Sequence, residues 1–352
     1  MPSQAVRSVT MNRTIGFFLL VAGSVFAQTN DVAEPQTFYV SVDGAQSLQS
    51  AVDAANPGDE IVVAAGVYDT AGRQIHPESP VVRLVVDKPL TIRSEEGAQK
   101  TFLTGGPSTR CLYLTNGAEV IGFTITGGET CMKGMEGNKF TDLSGGGVWS
   151  EPGGTITDCT VVSNTALWYG GGLYGGNAIR CTFKKNTARR SGGAASHARL
   201  GSCLLAYNRA GHFGGGAQRS ELFNCTVTHN RAEQQGGGTA FGAAQNSVIH
   251  HNQALRSNHN YYRTEMTYSS SWPKPKGAGN IDGEPGFKNT DTGVFTLQDN
   301  SPVIDRGTNT FLTADLAGLP RVLDGNNNGR VRADMGAFEF VHPAVEPASA
   351  VQ

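Results

Sequence analysis

The chain of 352 residues carries 28 Lys and Arg against 30 Asp and Glu, a formal net charge of −2, and 46 of its residues are glycine. With only 16% charged residues, this composition favours a glycine-rich all-β chain and argues against a helical or disordered one. The length would allow two domains, but repeat proteins have no fixed size limit. We therefore predict one long domain followed by a tail.

The first 27 residues have the pattern of a secretory signal peptide. Arg7 and Arg13 precede an apolar stretch at 15–26, which ends at the small residue Ala27, the predicted cleavage site. We expect a signal peptide at 1–27, a flexible lead at 28–37, and a secreted or cell-surface location. An uncleaved anchor is the alternative, although the apolar run is shorter than the ~20 residues that a membrane span needs. No later segment could span a bilayer.

Residues 38–290 are predicted to form a β-solenoid that begins with a short helix. The segment from Ser47 to Ala55 has apolar residues at helical spacing, and Asn56-Pro57-Gly58 ends it. Such a helix would cover the open edge of the first coil. Strands are predicted next at 61–64, 67–68, 81–86, 90–93, 111–115 and 118–126, and a surface insertion at 127–144.

From Cys159 to Asn252 the sequence repeats every 22 residues. The repeated columns are Asn164, Asn186, Asn208, Asn230 and Asn252; Cys159, Cys181, Cys203 and Cys225; and glycine runs that open at Gly170, Gly192, Gly214 and Gly236. A fixed period of this length is typical of a solenoid, and the alternating apolar residues favour strands over helices. We predict three short strands in each coil, coils about 4.8 Å apart, and an inward ladder of stacked asparagines.

The cysteine column is interpreted as a ladder of buried thiols that behave as small apolar groups. Neighbouring members are close enough in principle for a disulfide, and Cys111 with Cys131 is another possible pair. Both interpretations stay open at this stage.

Two stretches resemble known protein groups. The repeats CTFKKNTARRSGGAA and CTVVSNTALWYGGGL resemble the FxxN and GGA(I/L) repeats of polymorphic outer-membrane proteins and of right-handed parallel β-helix proteins of the pectin-lyase-like superfamily. The C-terminal stretch DLAGLPRVLDGNNNGRVRADMGAFEF resembles the end of secreted proteins termed choice-of-anchor Q. These resemblances imply a right-handed parallel β-helix, an irregular C-terminal cap at 291–340 and a tail at 341–352.

Charge is concentrated in the repeats. Residues 159–258 contain ten Lys or Arg and two Glu, a formal +8 within an acidic chain. Residues that flank each ladder asparagine should point outward and stack into a basic ridge. The candidate catalytic residues on it are Lys185, Tyr207, Arg209, His229 and Arg231; the candidate substrate-binding residues are Lys184, Arg189, Arg190, His250 and His251.

The ridge predicts a partner that is an acidic polysaccharide or another polyanionic surface glycan, because guanidinium groups pair well with carboxylates and sulfates. As an enzyme the protein would be a polysaccharide lyase or a glycosidase, with a cation neutralising the uronate and a nearby base removing a proton. The alternatives are a non-catalytic surface or adhesin-like protein and a basic face that serves only solubility. Nucleic acid is not expected as a partner, and we expect a monomer.

A possible calcium site follows near the C-terminus. Asp324, Asn326 and Asn328 match the start of a calcium loop, with Asp334 as a further ligand. The closing glutamate of such a loop is missing, so a plain Asn/Gly turn is the alternative. Apart from possible Ca²⁺, no cofactor is predicted.

Overall fold

The computed structural model describes residues 34–77, 79–131 and 139–342. The predicted signal peptide and most of the lead and tail lie outside these residues. The strands between Thr37 and Ser271 form the predicted parallel β-helix, in which each coil pairs with the next in a parallel ladder. Among the described residues, no helix is long and apolar enough to cross a membrane.

Five coils have four sides, which we name faces A to D in chain order, rather than the three strands expected; the coils before Thr165 have strands on faces A, B and D only. Face A consists of Thr37–Val40, Glu60–Val63, Thr91–Ser94, Glu119–Ile121, Thr155–Thr157, Asn177–Ile179, Arg199–Gly201, Glu221–Phe223, Ala243–Gln245 and Glu265–Thr267. Face B consists of Gly66–Tyr68, Thr101–Gly106, Thr124–Gly128, Thr160–Val162, Thr182–Lys184, Leu204–Ala206, Thr226–Thr228, Val248–His250 and Ser270–Ser271.

The strands of face C have two residues each, and those of face D have two to six. Face C consists of Thr165–Ala166, Thr187–Ala188, Arg209–Ala210, Arg231–Ala232 and Gln253–Ala254. Face D consists of Val81–Val86, Thr109–Leu114, Val148–Ser150, Leu173–Tyr174, Ala195–Ser196, Ala217–Gln218, Thr239–Ala240 and Tyr261–Tyr262, with Arg73–Gln74 antiparallel to its first strand. An antiparallel hairpin of Phe287–Asn289 and Val294–Leu297 follows the last coil.

The four corners of a coil are made by residues with positive φ at 22-residue intervals. In one coil these are Arg180, Lys185, Gly192 and His197, with φ values of 49°, 56°, 72° and 56°. A residue in the left-handed conformation turns the chain sharply, so that one strand ends before it and the next strand begins after it. The side beyond the three expected is face C, which lies between the corners at Lys185 and Gly192.

The interior confirms the predicted ladders. Asn208 is fully buried, its Oδ1 accepts the backbone N–H of Asn186 at 2.9 Å, and its Nδ2 donates to Oδ1 of Asn230 at 2.9 Å. The cysteine column is also buried, and all six cysteines are free thiols. Cys181 Sγ accepts the N–H of Cys159 at 3.4 Å, so the thiols take part in a second ladder beside the amide ladder.

The predicted N-terminal helix spans Leu48–Ala54. Ser47 caps it by accepting the N–H of Ser50. Its Gln49 side chain receives the N–H of Val85 at 2.8 Å and donates to the carbonyl of Val85, so it extends the pairing of the first strand on face D. A second helix, Lys139–Leu143, lies within the predicted insertion.

The C-terminal segment packs along the outside of face B. Phe295, Val303 and Met335 form a second apolar core with the outward side chains of Leu204 and Val248. The hairpin Phe287–Leu297 crosses the boundary that the sequence placed at residue 290.

A buried ion pair fixes the far end of this segment. Arg321 Nη1 lies 2.8 Å from Glu339 Oε1, and its Nη2 donates to Ser202 Oγ at 2.9 Å. Both charged side chains are fully enclosed. Because the guanidinium joins Glu339 to a corner residue of the solenoid, the pair holds the C-terminal segment against the coils.

Candidate functional site

Face C carries an outward ladder of basic residues. Arg209 and Arg231 are direct partners in its parallel sheet, with Thr187 before them and Gln253 after them. Partners in neighbouring parallel strands lie about 4.8 Å apart. Neither arginine forms an ion pair with a carboxylate of the described residues. The register predicted for these residues is therefore present, and it brings two unneutralised guanidinium groups together.

The cations around Arg209 and Arg231 extend this surface over both neighbouring corners. We name the whole set the basic face; its members are Lys184, Lys185, Arg189, Arg190, Arg209, Arg231 and Arg256. Lys185 lies at the corner between faces B and C, while Arg189 and Arg190 lie in the bend from face C to face D. Not all of the basic repeat residues share this surface, because Arg180 pairs with Asp158 and Arg199 pairs with Glu221 around face A.

The corner column next to the arginines is partly covered. Tyr207, His229 and His251 do stack in succession, with ring centroids 5.2 and 5.5 Å apart. However, Phe295 of the C-terminal hairpin packs 6.1 Å from the Tyr207 ring and 5.6 Å from that of His229, and both residues are half-buried. His251 is exposed, and its Nε2 lies 2.6 Å from the carboxylate of Glu284. The ridge predicted as one stripe thus consists of an arginine column and an aromatic column that packs against the C-terminal hairpin.

The two candidate bases in that column make local hydrogen bonds. The Tyr207 hydroxyl donates to the carbonyl of Thr290 at 3.2 Å, and burial raises the pKa of this phenol. His229 Nδ1 lies 2.8 Å from Thr228 Oγ1, and burial together with the neighbouring His251 lowers the pKa of His229. Both side chains are engaged with the hairpin or with face B.

His250 does not lie on the surface, which corrects its prediction as a substrate-binding residue. Its side chain is buried beneath the C-terminal segment, and its Nε2 lies 3.0 Å from Ser270 Oγ. Burial lowers the pKa of His250 to about 4, so the ring is neutral near pH 7. The sequence did not reveal this because face B points His250 outward, and only the distant C-terminal segment covers it.

Both carboxylates of the predicted calcium site accept backbone hydrogen bonds. Asp324 accepts the backbone N–H groups of Asn328 and Gly329 at 2.9 and 2.7 Å, so its carboxylate closes its own turn. Asp334 is fully buried and accepts the N–H of Asp305 at 2.7 Å. Within residues 34–77, 79–131 and 139–342, no group of three or more His, Cys, Asp or Glu is placed to hold a metal ion.

Sequence reasoning did not identify a second functional candidate, an aromatic ladder on face D. Tyr113 and Trp149 stack with centroids 5.0 Å apart, and Trp149 and Tyr174 follow at 6.4 Å. These residues point outward from consecutive strands. The 22-residue period does not show this ladder, because Tyr113, Trp149 and Tyr174 are 36 and 25 residues apart. At the same position the next two strands carry Ser196 and Gln218. Aromatic side chains aligned on a rigid sheet form a platform for flat or ring-shaped ligands.

Comparisons with known proteins do not assign the chain to a protein family. No protein-family model matches the sequence, and no curated protein matches it. Among solved structures, the chain is similar to pectate lyase Pel9A, with a TM-score of 0.43 and 14% identity over 88% of this chain and 98% of that chain. It is also similar to an alginate lyase from Paenibacillus sp. str. FPU-7, with a TM-score of 0.32 and 12% identity over 67% of this chain and 86% of the lyase. A rhamnogalacturonan lyase gives a TM-score of 0.37 and 13% identity over 67% and 68% of the two chains.

Proposed function

We propose that this protein binds an acidic polysaccharide through the basic face. The observation that carries the proposal is the register of Arg209 with Arg231, two guanidinium groups on consecutive coils without a carboxylate partner among the described residues. Coils about 4.8 Å apart match the length of one sugar residue in an extended chain. A polymer that runs along the solenoid would therefore place two successive uronates at Arg209 and Arg231.

Binding rather than cleavage is the role that the local geometry favours. Three groups on the ridge are suited to remove a proton; Tyr207 and His229 are packed against Phe295, whereas Lys185 is exposed. The cations Lys185, Arg209 and Arg231 are left to hold carboxylates, since a planar guanidinium can pair with both oxygens of a carboxylate. This favours the non-catalytic alternative, a surface or adhesin-like binding protein.

The test is a binding assay with polygalacturonate and alginate, and with a neutral glucan as the control polymer. Replacing Arg209 and Arg231 together by glutamine should raise the Kd for the acidic polymers about ten- to thirtyfold, since a hydrogen bond to a charged group contributes about 1.5 kcal/mol or less at an exposed site. Added salt should weaken binding by the unaltered protein, because exposed charges are screened.

A matched control is available on face A. Arg180 and Arg199 belong to the same repeats but are already paired with Asp158 and Glu221. Their double glutamine variant removes the same charge and should bind like the unaltered protein. Equal losses in both double variants would refute the basic face as the binding surface. Ultraviolet absorbance from unsaturated sugars during the incubation would refute the non-catalytic role.

A further inference from the structure

A recess of about 380 Å³ opens on the outer surface where the bend from face C reaches face D. Its floor is formed where the aromatic ladder stops, since Ser196 and Gln218 occupy the two strands that follow Tyr174. Small or flexible side chains replace rings at these positions and leave a depression in the sheet surface. The volume lies in the range of ~300–1,000 Å³ that is common for small-ligand sites.

Aromatic rings form the walls of the recess. Tyr169, Ser191 and Phe213 occupy the same position in three successive coils. The serine in the middle leaves a gap between the two rings, which belong to strands separated by about twice the 4.8 Å spacing, or ~10 Å. Phe241 completes one wall, with its ring centroid 5.2 Å from that of Phe213. A sugar ring fits a gap of this width with its C–H faces against the aromatic groups.

The floor presents one oriented hydrogen-bond donor. Gln218 is 5% exposed, and its Oε1 accepts the hydroxyl of Ser196 at 2.8 Å. Its Nε2 has no hydrogen-bond partner among the described residues, although the side chain lines the recess. Ser196 fixes the amide oxygen and thereby orients the Nε2–H donors of this recess-lining side chain, which are suited to donate to a ligand hydroxyl or carboxylate.

The charged residues that line the recess favour an anionic ligand. Arg190 and Arg219 both line the recess, and no carboxylate does. The Arg190 guanidinium is held 4.3 Å from the centre of the Trp168 ring, a cation–π contact that fixes the group while its N–H donors stay available. Neither arginine forms an ion pair with a described carboxylate. A ligand that enters the recess therefore meets two cations and no opposing negative charge.

We propose that this recess binds a single uronic acid residue, with its ring between Tyr169 and Phe213, a hydroxyl on Gln218 Nε2, and its carboxylate on Arg190 or Arg219. The inference rests on the proposed function, because the bound uronic acid residue would belong to the same acidic polysaccharide that the basic face binds. The bend residue Arg190 belongs both to the basic face and to the recess. A chain held on face C can therefore place an end or a branch in the recess.

The test is isothermal titration of the full chain with three probes: trigalacturonic acid, a sulfated disaccharide and neutral maltotriose. Trigalacturonic acid should bind with the highest affinity. Its Kd should rise at least tenfold in Gln218→Glu, which keeps the side-chain shape but replaces the amide donor by a negative charge. The Arg190→Gln/Arg219→Gln variant keeps the buried floor intact and should lose binding to the same extent. Phe311→Leu, at an exposed ring on another side of the molecule, is the control.

The outcomes separate this inference from the proposed function. Loss of polymer binding in Arg209→Gln/Arg231→Gln, with unchanged affinity for trigalacturonic acid, would support two distinct sites. Polymer binding without measurable binding of trigalacturonic acid would overturn the recess and leave the basic face intact. Equal affinity for maltotriose, or a preference for the sulfated probe, would overturn the assignment of a uronate. Unchanged affinity in both recess variants would overturn the recess as the site.

Discussion

Removing one member of the asparagine ladder should destabilise the whole solenoid. In Asn208→Ala, the buried N–H of Asn186 loses its acceptor and the buried carbonyl of Phe183 loses the donor that now lies 3.0 Å away. Each buried polar group left unpaired costs about 1–3 kcal/mol, so we expect a loss of about 2–6 kcal/mol in the free energy of unfolding. Urea denaturation followed by circular dichroism would measure it.

A matched control separates this effect from the loss of any asparagine. Asn177 lies outside the ladder and makes a single 3.4 Å side-chain hydrogen bond to Thr155, so Asn177→Ala should cost less than about 1 kcal/mol. Asn208→Asp keeps an acceptor but replaces the amide donor and buries a charge, so it should be destabilising near pH 7 and less so in acid. If Asn208→Ala and Asn177→Ala unfolded at the same urea concentration, the asparagine ladder would not be a source of the solenoid's stability.

Burial raises the pKa of both Asp334 and Glu339, so the folded protein retains protons that the unfolded chain releases above pH ~4. Their contribution to stability is therefore full below that pH and is lost as the pH rises toward the raised native values; Glu339→Gln should flatten this dependence in thermal unfolding at several pH values. Arg321→Met should destabilise the protein by about 1–3 kcal/mol, because it leaves the enclosed Glu339 carboxyl without the donor that now lies 2.8 Å away, and a cost within the error of urea denaturation would refute that role. Thiol labelling of the native protein should modify Cys131 before Cys111, because Cys111 is fully buried and its burial raises the pKa of its thiol to about 12. Equal labelling rates would show that Cys111 is not protected by the fold.

Much of the solenoid could be predicted because its contacts repeat at a fixed sequence distance. Asn164 and Asn186 meet across 22 residues, as do Arg209 and Arg231, and a periodic sequence shows this directly. The fourth side of the coil, face C, was missed because its strands have only two residues each, too few for an alternating apolar pattern to show. The recess was missed because its signal is a small residue between aromatic ones in a column, not a repeated residue.

The sequence by itself determined the coil, its register and the inward ladders, since stacking identical residues requires only that the period be kept. Tertiary structure alone decided which parts of the outer surface stay open. Ser202 and Arg321 meet across 119 residues, and no periodic pattern predicts such a contact. The outward Leu204 and Val248 bury apolar area only when the C-terminal segment folds back over them. That single packing event covers Tyr207, His229 and His250, while Arg209 and Arg231 stay outside the second core.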